Sequence, residues 1–119
     1  KKLQRCRSVL SCYQYFLTGR TTVEFINCVR VRVKDDRVDQ FVALNQDFKK
    51  GVDQSKSYLV NTGNRTFCWV GVWDSEQALV EARDEMISNL DSVRHCLEDL
   101  GNGLGVTDPV SGLVTLSID

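Results

Sequence analysis

Residues 65–73 read Arg65-Thr66-Phe67-Cys68-Trp69-Val70-Gly71-Val72-Trp73. In a strand, alternate side chains face opposite sides, so Phe67, Trp69, Gly71 and Trp73 share one face and Cys68, Val70 and Val72 the other. Both faces are apolar, so both need cover. Helices on one side of a sheet would leave the second side wet, and something else must shield it. Upstream, residues 57–62 form a short strand around Tyr58-Leu59-Val60, and Gly63-Asn64 is a dipeptide suited to a tight hairpin.

Residues 23–34, VEFINCVRVRVK, set Phe25, Val29, Val31 and Val33 against Ile26, Cys28, Arg30 and Arg32, a further period-2 strand. Asp35-Asp36 offers a helix N-cap. Val38, Phe41, Val42, Leu44 and Phe48 then follow helical spacing up to Lys49-Lys50-Gly51, cations at the negative dipole end before a glycine stop. Beyond Trp73, Asp74-Ser75-Glu76-Gln77 has the makings of a capped helix start. Ala78, Leu79, Ala82, Met86, Leu90, Val93, Leu97 and Leu100 continue one long helix with a break near Ser88-Asn89, and Gly101, Gly103 and Gly105 end it. Asp108-Pro109-Val110-Ser111-Gly112 reads as a turn-rich link into a last strand over 113–118. The order β-α-β-β-α-β predicts an α+β, ferredoxin-like domain over 23–119 with an antiparallel sheet. Its doubly apolar third strand predicts that two sheets face each other in a homodimeric α/β barrel. Whether the last strand stays in its own subunit is open.

The chain has 119 residues, 42% hydrophobic and 26% charged, which suits one domain with a real core and excludes wholesale disorder. A formal net charge of −1 gives no sign of a nucleic-acid partner, and no apolar run is long enough for a membrane span. The charge is uneven: residues 1–22 carry Lys1, Lys2, Arg5, Arg7 and Arg20 and no acid. With Leu3, Val9, Leu10, Tyr13, Phe16 and Leu17 at loosely helical spacing, this stretch is expected to be a basic N-terminal arm or helix; a targeting leader shares its composition. Cys6, Cys12, Cys28, Cys68 and Cys96 are odd in number, scattered and without a CxxC pair, and His95 is the single histidine. No metal site is expected from that spacing, and free thiols in a reducing, cytoplasmic setting are.

FINCVRVRVKDDRVDQFVALNQDF and FCWVGVWDSEQALVEAR, with Val72-Trp73-Asp74-Ser75-Glu76-Gln77-Ala78-Leu79 as the most recognisable element, resemble the antibiotic-biosynthesis monooxygenase-like superfamily of dimeric α/β barrels. The resemblance covers roughly residues 23–100. It implies a pocket between sheet and helices lined by a strand Asn and a strand-end Trp, here Asn27 and Trp73. Some members of that superfamily oxygenate aromatic polyketides without metal or flavin, which implies an oxidoreductase needing no cofactor. Haem-degrading members carry an iron-ligating His early in the second helix. That stretch has none here, and His95 falls 22 residues past Trp73.

A cofactor-free oxygenase must ionise an acidic phenol, hold the anion with polar donors and exclude water from the reactive intermediate. Asn27 could donate an amide hydrogen bond, Trp73 an indole N–H and a stacking face, Trp69 or Phe67 an apolar wall, and Tyr58 and Arg83 further polar contacts. No base stands out among them. Each also has a structural reading: Asn27 bonding backbone or water, the tryptophans and Phe67 as core, Tyr58 as a half-buried strand residue, Arg83 as a solvated helix cation. Three functions follow: an oxygenase for an aromatic or polyketide-like molecule, a non-catalytic sensor or carrier of a small apolar ligand, and a structural interaction protein.

Overall fold

A computed structural model of the chain describes residues 23–118; the arm expected over 1–22 lies outside them. The chain runs β1 (Phe25–Arg32), α1 (Val38–Asn45), β2 (Gln54–Gly63), β3 (Thr66–Trp73), α2 (Glu76–Glu81), α3 (Arg83–Val93), a 3-10 turn (Arg94–Cys96) and β4 (Asp108–Leu113). The four strands make one antiparallel sheet in the order β2-β3-β1-β4. This is the ferredoxin-like arrangement, and the doubly apolar β3 and the largely apolar β1 occupy its centre.

The ladder register positions everything else. Between β1 and β3, Phe25 lies opposite Trp73, Asn27 opposite Gly71, Val29 opposite Trp69 and Val31 opposite Phe67. The helix-covered face therefore divides into two apolar clusters. Val31, Val33, Phe41, Phe67, Val93, Cys96 and Leu97 pack at one end, and Phe25, Trp73, Ala78 and Leu79 at the other. The rungs between them carry Asn27, Gly71, Val29 and Trp69.

Several boundaries differ from the sequence expectation. The hairpin turn is centred on Asn64-Arg65, both in the left-handed region at φ 55° and 62°, while Gly63 pairs with Thr66 as the last rung. Arg65 is held there by its guanidinium, which donates to the Val33 carbonyl at 2.7 Å and to Glu98 at 2.8 Å. Asp35-Asp36 is a turn rather than a cap, and α1 stops at Asn45, whose Nδ2 donates to the Phe41 carbonyl at 2.8 Å. Tight i→i+3 bonds carry the chain on to Phe48, leaving Lys49-Lys50-Gly51 outside the helix.

Ser75 caps α2 as expected, its Oγ accepting from the Ala78 N–H at 3.1 Å, but Gln77 donates to Glu81. The helix breaks at Ala82, not near Ser88-Asn89, with the Ala82 N–H shared between the Ala78 and Leu79 carbonyls. It ends at Val93 because Leu97 is drawn into an extended bridge with Val33. The three glycines form a turn beyond the helix, closed by the Leu100 N–H to the Gly105 carbonyl at 2.7 Å. The last strand occupies the expected link: Asp108 pairs with Arg30 and Leu113 with Phe25. Pro109 is tolerated because β4 is an edge strand and needs no second donor.

Among the described residues no helix covers the other face of the sheet. Ile26, Cys28, Cys68, Val70 and Val72 are half-buried there, whereas Tyr58, Val60 and Val110 are 49%, 41% and 65% exposed. Cys28, Cys68 and Cys96 are free thiols, and burial, with Cys28 beside it, raises the Cys68 thiol above its ordinary range.

Candidate functional site

The rungs between the two apolar clusters floor a cavity of about 400 Å³ that lies between the sheet, the end of α1 and helix α3. From the sheet it is bordered by Asn27, Val29, Trp69, Gly71 and Trp73, from the α1–β2 connection by Phe48, Lys49, Lys50, Gly51 and Gln54, and from the helices by Asn45, Ala82, Glu85, Met86 and Leu90. It exists because the Asn27–Gly71 rung carries a small polar side chain opposite none at all on the helix-covered face. A bulky pair at 27 and 71 would join the two half-cores into one.

Two indoles are fixed by carboxamides. Trp73 Nε1 donates to Asn27 Oδ1 at 2.7 Å, and Trp73 is only 1% exposed. Trp69 Nε1 donates to Asn45 Oδ1 at 2.6 Å, and Asn45 passes the bond on to the Phe41 carbonyl. An indole can only donate, so both carboxamide oxygens are assigned without ambiguity. Both groups of Asn45 are thereby engaged. Asn27 keeps its Nδ2 without a partner among the described residues.

Gly71 is the close-approach point. A Cβ there would stand 2.5 Å from Asn27 Oδ1, 2.7 Å from Gln54 Nε2 and 2.8 Å from Trp73 Nε1. Three polar atoms thus converge over one backbone position that bears no side chain. Gly51 has a similar role beneath the Trp73 ring, where a Cβ would meet ring carbons at 2.9 Å. Its N–H donates to Gln54 Oε1 at 2.7 Å. Trp69 is packed by Phe41 at a centroid distance of 5.7 Å and by Phe48 at 6.2 Å, an aromatic wall toward α1.

The structure thus gathers Asn27, Trp73 and Trp69 around one cavity. It does not bring the other three candidates in equally. Tyr58 borders the cavity from β2, but its register opposite Val70 puts the side chain on the helix-free face. Phe67 is 3% exposed in the core against Phe41 and stands outside the cavity wall, and Arg83 is exposed at the start of α3, also outside it. The indole N–H of Trp73, expected to meet a substrate oxygen, is engaged by Asn27 instead.

Gln54, Gly71, Asn45 and Glu85 were missed by sequence reasoning. Gln54 faces the cavity because a register shift between Gln54 and Lys56 inserts Ser55 as an extra residue and turns Gln54 to the Trp73 side. No local pattern announces that bulge. Gly71 did carry a signal, since an isolated glycine within a strand marks close approach. Among the described residues no group of three His, Cys, Asp or Glu side chains is gathered to hold a metal ion, and no helix is long and apolar enough to cross a membrane.

No protein-family model matches this chain, and no curated protein matches it in sequence. Solved structures do match in fold. SnoaB, a cofactor-independent oxygenase from Streptomyces nogalater, superposes with a TM-score of 0.64 at 10% identity, over 82% of this chain and 98% of its own. A candidate antibiotic biosynthesis monooxygenase from Nitrosomonas europaea gives 0.62 at 10% identity, over 78% and 91%. A dimeric ferredoxin-like protein from an uncultured marine organism gives 0.61 at 10% identity, over 82% and 92%. The structural neighbours are thus antibiotic biosynthesis monooxygenase-like proteins of the ferredoxin-like fold, the superfamily the sequence resembles. At such identities the likeness is one of fold.

Proposed function

We propose that this chain binds a small, largely apolar aromatic molecule in the cavity between sheet and helices, and that it oxygenates that molecule without a cofactor. The observation that carries the reading is the cavity itself: an aromatic and aliphatic enclosure interrupted by converging polar groups of Asn27, Gln54 and Trp73 over Gly71. That is the make-up of a small-molecule site, apolar walls for affinity and a few placed donors for orientation. In such an oxygenation the substrate itself reduces dioxygen. A ring methylene activated by a neighbouring phenol becomes a carbonyl, and the second oxygen atom leaves as water. Asn27 would hold the developing substrate anion, Trp73 would position Asn27, and Trp69 would supply the wall against which the ring lies. The fold shared with a cofactor-independent oxygenase supports this choice among reactions.

The second copy belongs to the same proposal. Tyr58, Val60 and Val110 form an exposed apolar patch on the helix-free face, which a partner sheet would cover in a homodimer. The test of activity is oxygen uptake with a panel of dihydroxyaromatics. The expected result is turnover that falls at least tenfold in Asn27→Ala and in Trp73→Phe. Binding of the same compounds with no uptake would favour a sensor or carrier instead, a reading supported by the exposure of Glu85, the one carboxylate on the wall among the described residues.

A further inference from the structure

We infer that Asn27 and Gln54 together form a twin amide-donor seat for an ionised, acceptor-only oxygen of the ligand, with Gly71 keeping the seat open. This deepens the reading above and rests on it for the cavity being a ligand site. Both orientations are forced by the partners. The Trp73 indole can only donate, so Asn27 presents its oxygen to Trp73 and its Nδ2 elsewhere. The Gly51 backbone N–H can only donate, so Gln54 presents Oε1 to Gly51 and its Nε2 elsewhere. Neither amide nitrogen has a partner among the described residues, and both side chains border the same cavity.

The placement over Gly71 joins the two. Asn27 Oδ1 and Gln54 Nε2 both fall within 3 Å of the point where a Cβ at position 71 would stand, the distances being 2.5 Å and 2.7 Å. Two carboxamides anchored through their oxygens have their amide hydrogens left to offer. A neutral hydroxyl accepts these only as ordinary hydrogen bonds and can return its proton to the second lone pair of either oxygen. An ionised oxygen has no proton to place and accepts from both nitrogens, each bond being charge-assisted. The seat therefore discriminates by protonation state, favouring a phenolate over its phenol. Gln54 acts here as a specificity residue, delivered by the Ser55 bulge at the edge of β2.

The test uses the full chain with 7-hydroxycoumarin, whose anion absorbs at longer wavelength than its neutral form, and 7-methoxycoumarin as a probe that cannot ionise. Binding to the protein should lower the apparent pKa of 7-hydroxycoumarin by about one unit, a roughly tenfold preference for the anion. The shift should persist at high salt, where the exposed Lys49 and Lys50 are screened. Gln54→Glu keeps an acceptor for Gly51, and Asn27→Asp keeps one for Trp73, so each preserves its anchor while replacing a donor with a repelling oxygen. Both should abolish or reverse the pKa shift, while 7-methoxycoumarin, which cannot ionise, reads separately whether the cavity of each variant still binds. If the unaltered protein binds both coumarins without the shift, or if the two variants leave the shift intact, the seat is overturned and the cavity reading stands. If neither coumarin binds, the cavity reading fails and the seat with it.

Discussion

Gly71 and Asn27 lie opposite each other on the β1–β3 ladder, and a Cβ on Gly71 would fall 2.5 Å from the Asn27 carboxamide oxygen. The backbone is pressed against the polar floor of the cavity, and only glycine fits without displacing it. Gly71→Ala should destabilise the chain by about 1–3 kcal/mol through overpacking and should disturb the Trp73–Asn27 bond. Urea denaturation measures the first effect and a shift in tryptophan emission the second; an unchanged midpoint and spectrum would show that the floor has room to relax.

Asn45 and Trp69 should be coupled for structural reasons alone. Asn45→Ala leaves the Trp69 N–H without its acceptor and removes the bond to the Phe41 carbonyl, a loss of about 1–3 kcal/mol for the stranded donor. In the Asn45→Ala/Trp69→Phe double variant no indole N–H remains to be satisfied. The two losses should then fall short of additivity by at least about 0.5 kcal/mol in a denaturation cycle.

Much of this fold was legible in advance, and the reason is pattern length. The alternation in β1 and β3 runs for a whole strand, so the strands themselves and the β-α-β-β-α-β order followed directly. Boundaries were harder wherever tertiary contacts overrule local preference. Leu97 fits the helical period, yet pairing with Val33 draws it into an extended bridge. Asp108-Pro109 has turn composition, yet Arg30 draws Asp108 into an ion pair at 2.8 Å and the edge of β1 needs a partner. The site shows the same division. Asn27 and Trp73 were pointed to by the family resemblance, whereas Gln54 depends on a bulge and Asn45 on a helix that stops early. Phe67 and Trp69 share a strand face, and only the placement of α1 separates the core residue from the cavity residue.

The homodimer proposal has a direct consequence for the helix-free face. Replacing Val60 with Lys places a charge on the exposed apolar patch and should convert a dimer into a monomer of 13.5 kDa. Sedimentation equilibrium at micromolar concentration reads this. A monomeric unaltered chain would remove the barrel from consideration.

Alkaline pH should weaken the fold through Cys68. Its thiol is raised, first by burial and then by the neighbouring Cys28, so the folded chain holds that proton more tightly than the unfolded one. The associated stability is complete below the unfolded thiol pKa and is lost as pH rises through the folded value. Cys68→Val should flatten the decline in urea midpoint across the alkaline range relative to the unaltered chain. Equal slopes would show that Cys68 does not contribute.

The claim that the space between the two half-cores receives an aromatic ring is tested most directly by isothermal titration calorimetry with 1,8-dihydroxyanthraquinone. The unaltered chain and a Met86→Trp variant, in which the larger side chain occupies the cavity from α3, are compared. Saturable binding of one molecule per chain, weakened at least tenfold in Met86→Trp while the urea midpoint stays near its original value, is the predicted result. Equal affinity in the two proteins, or no heat with either, would contradict it.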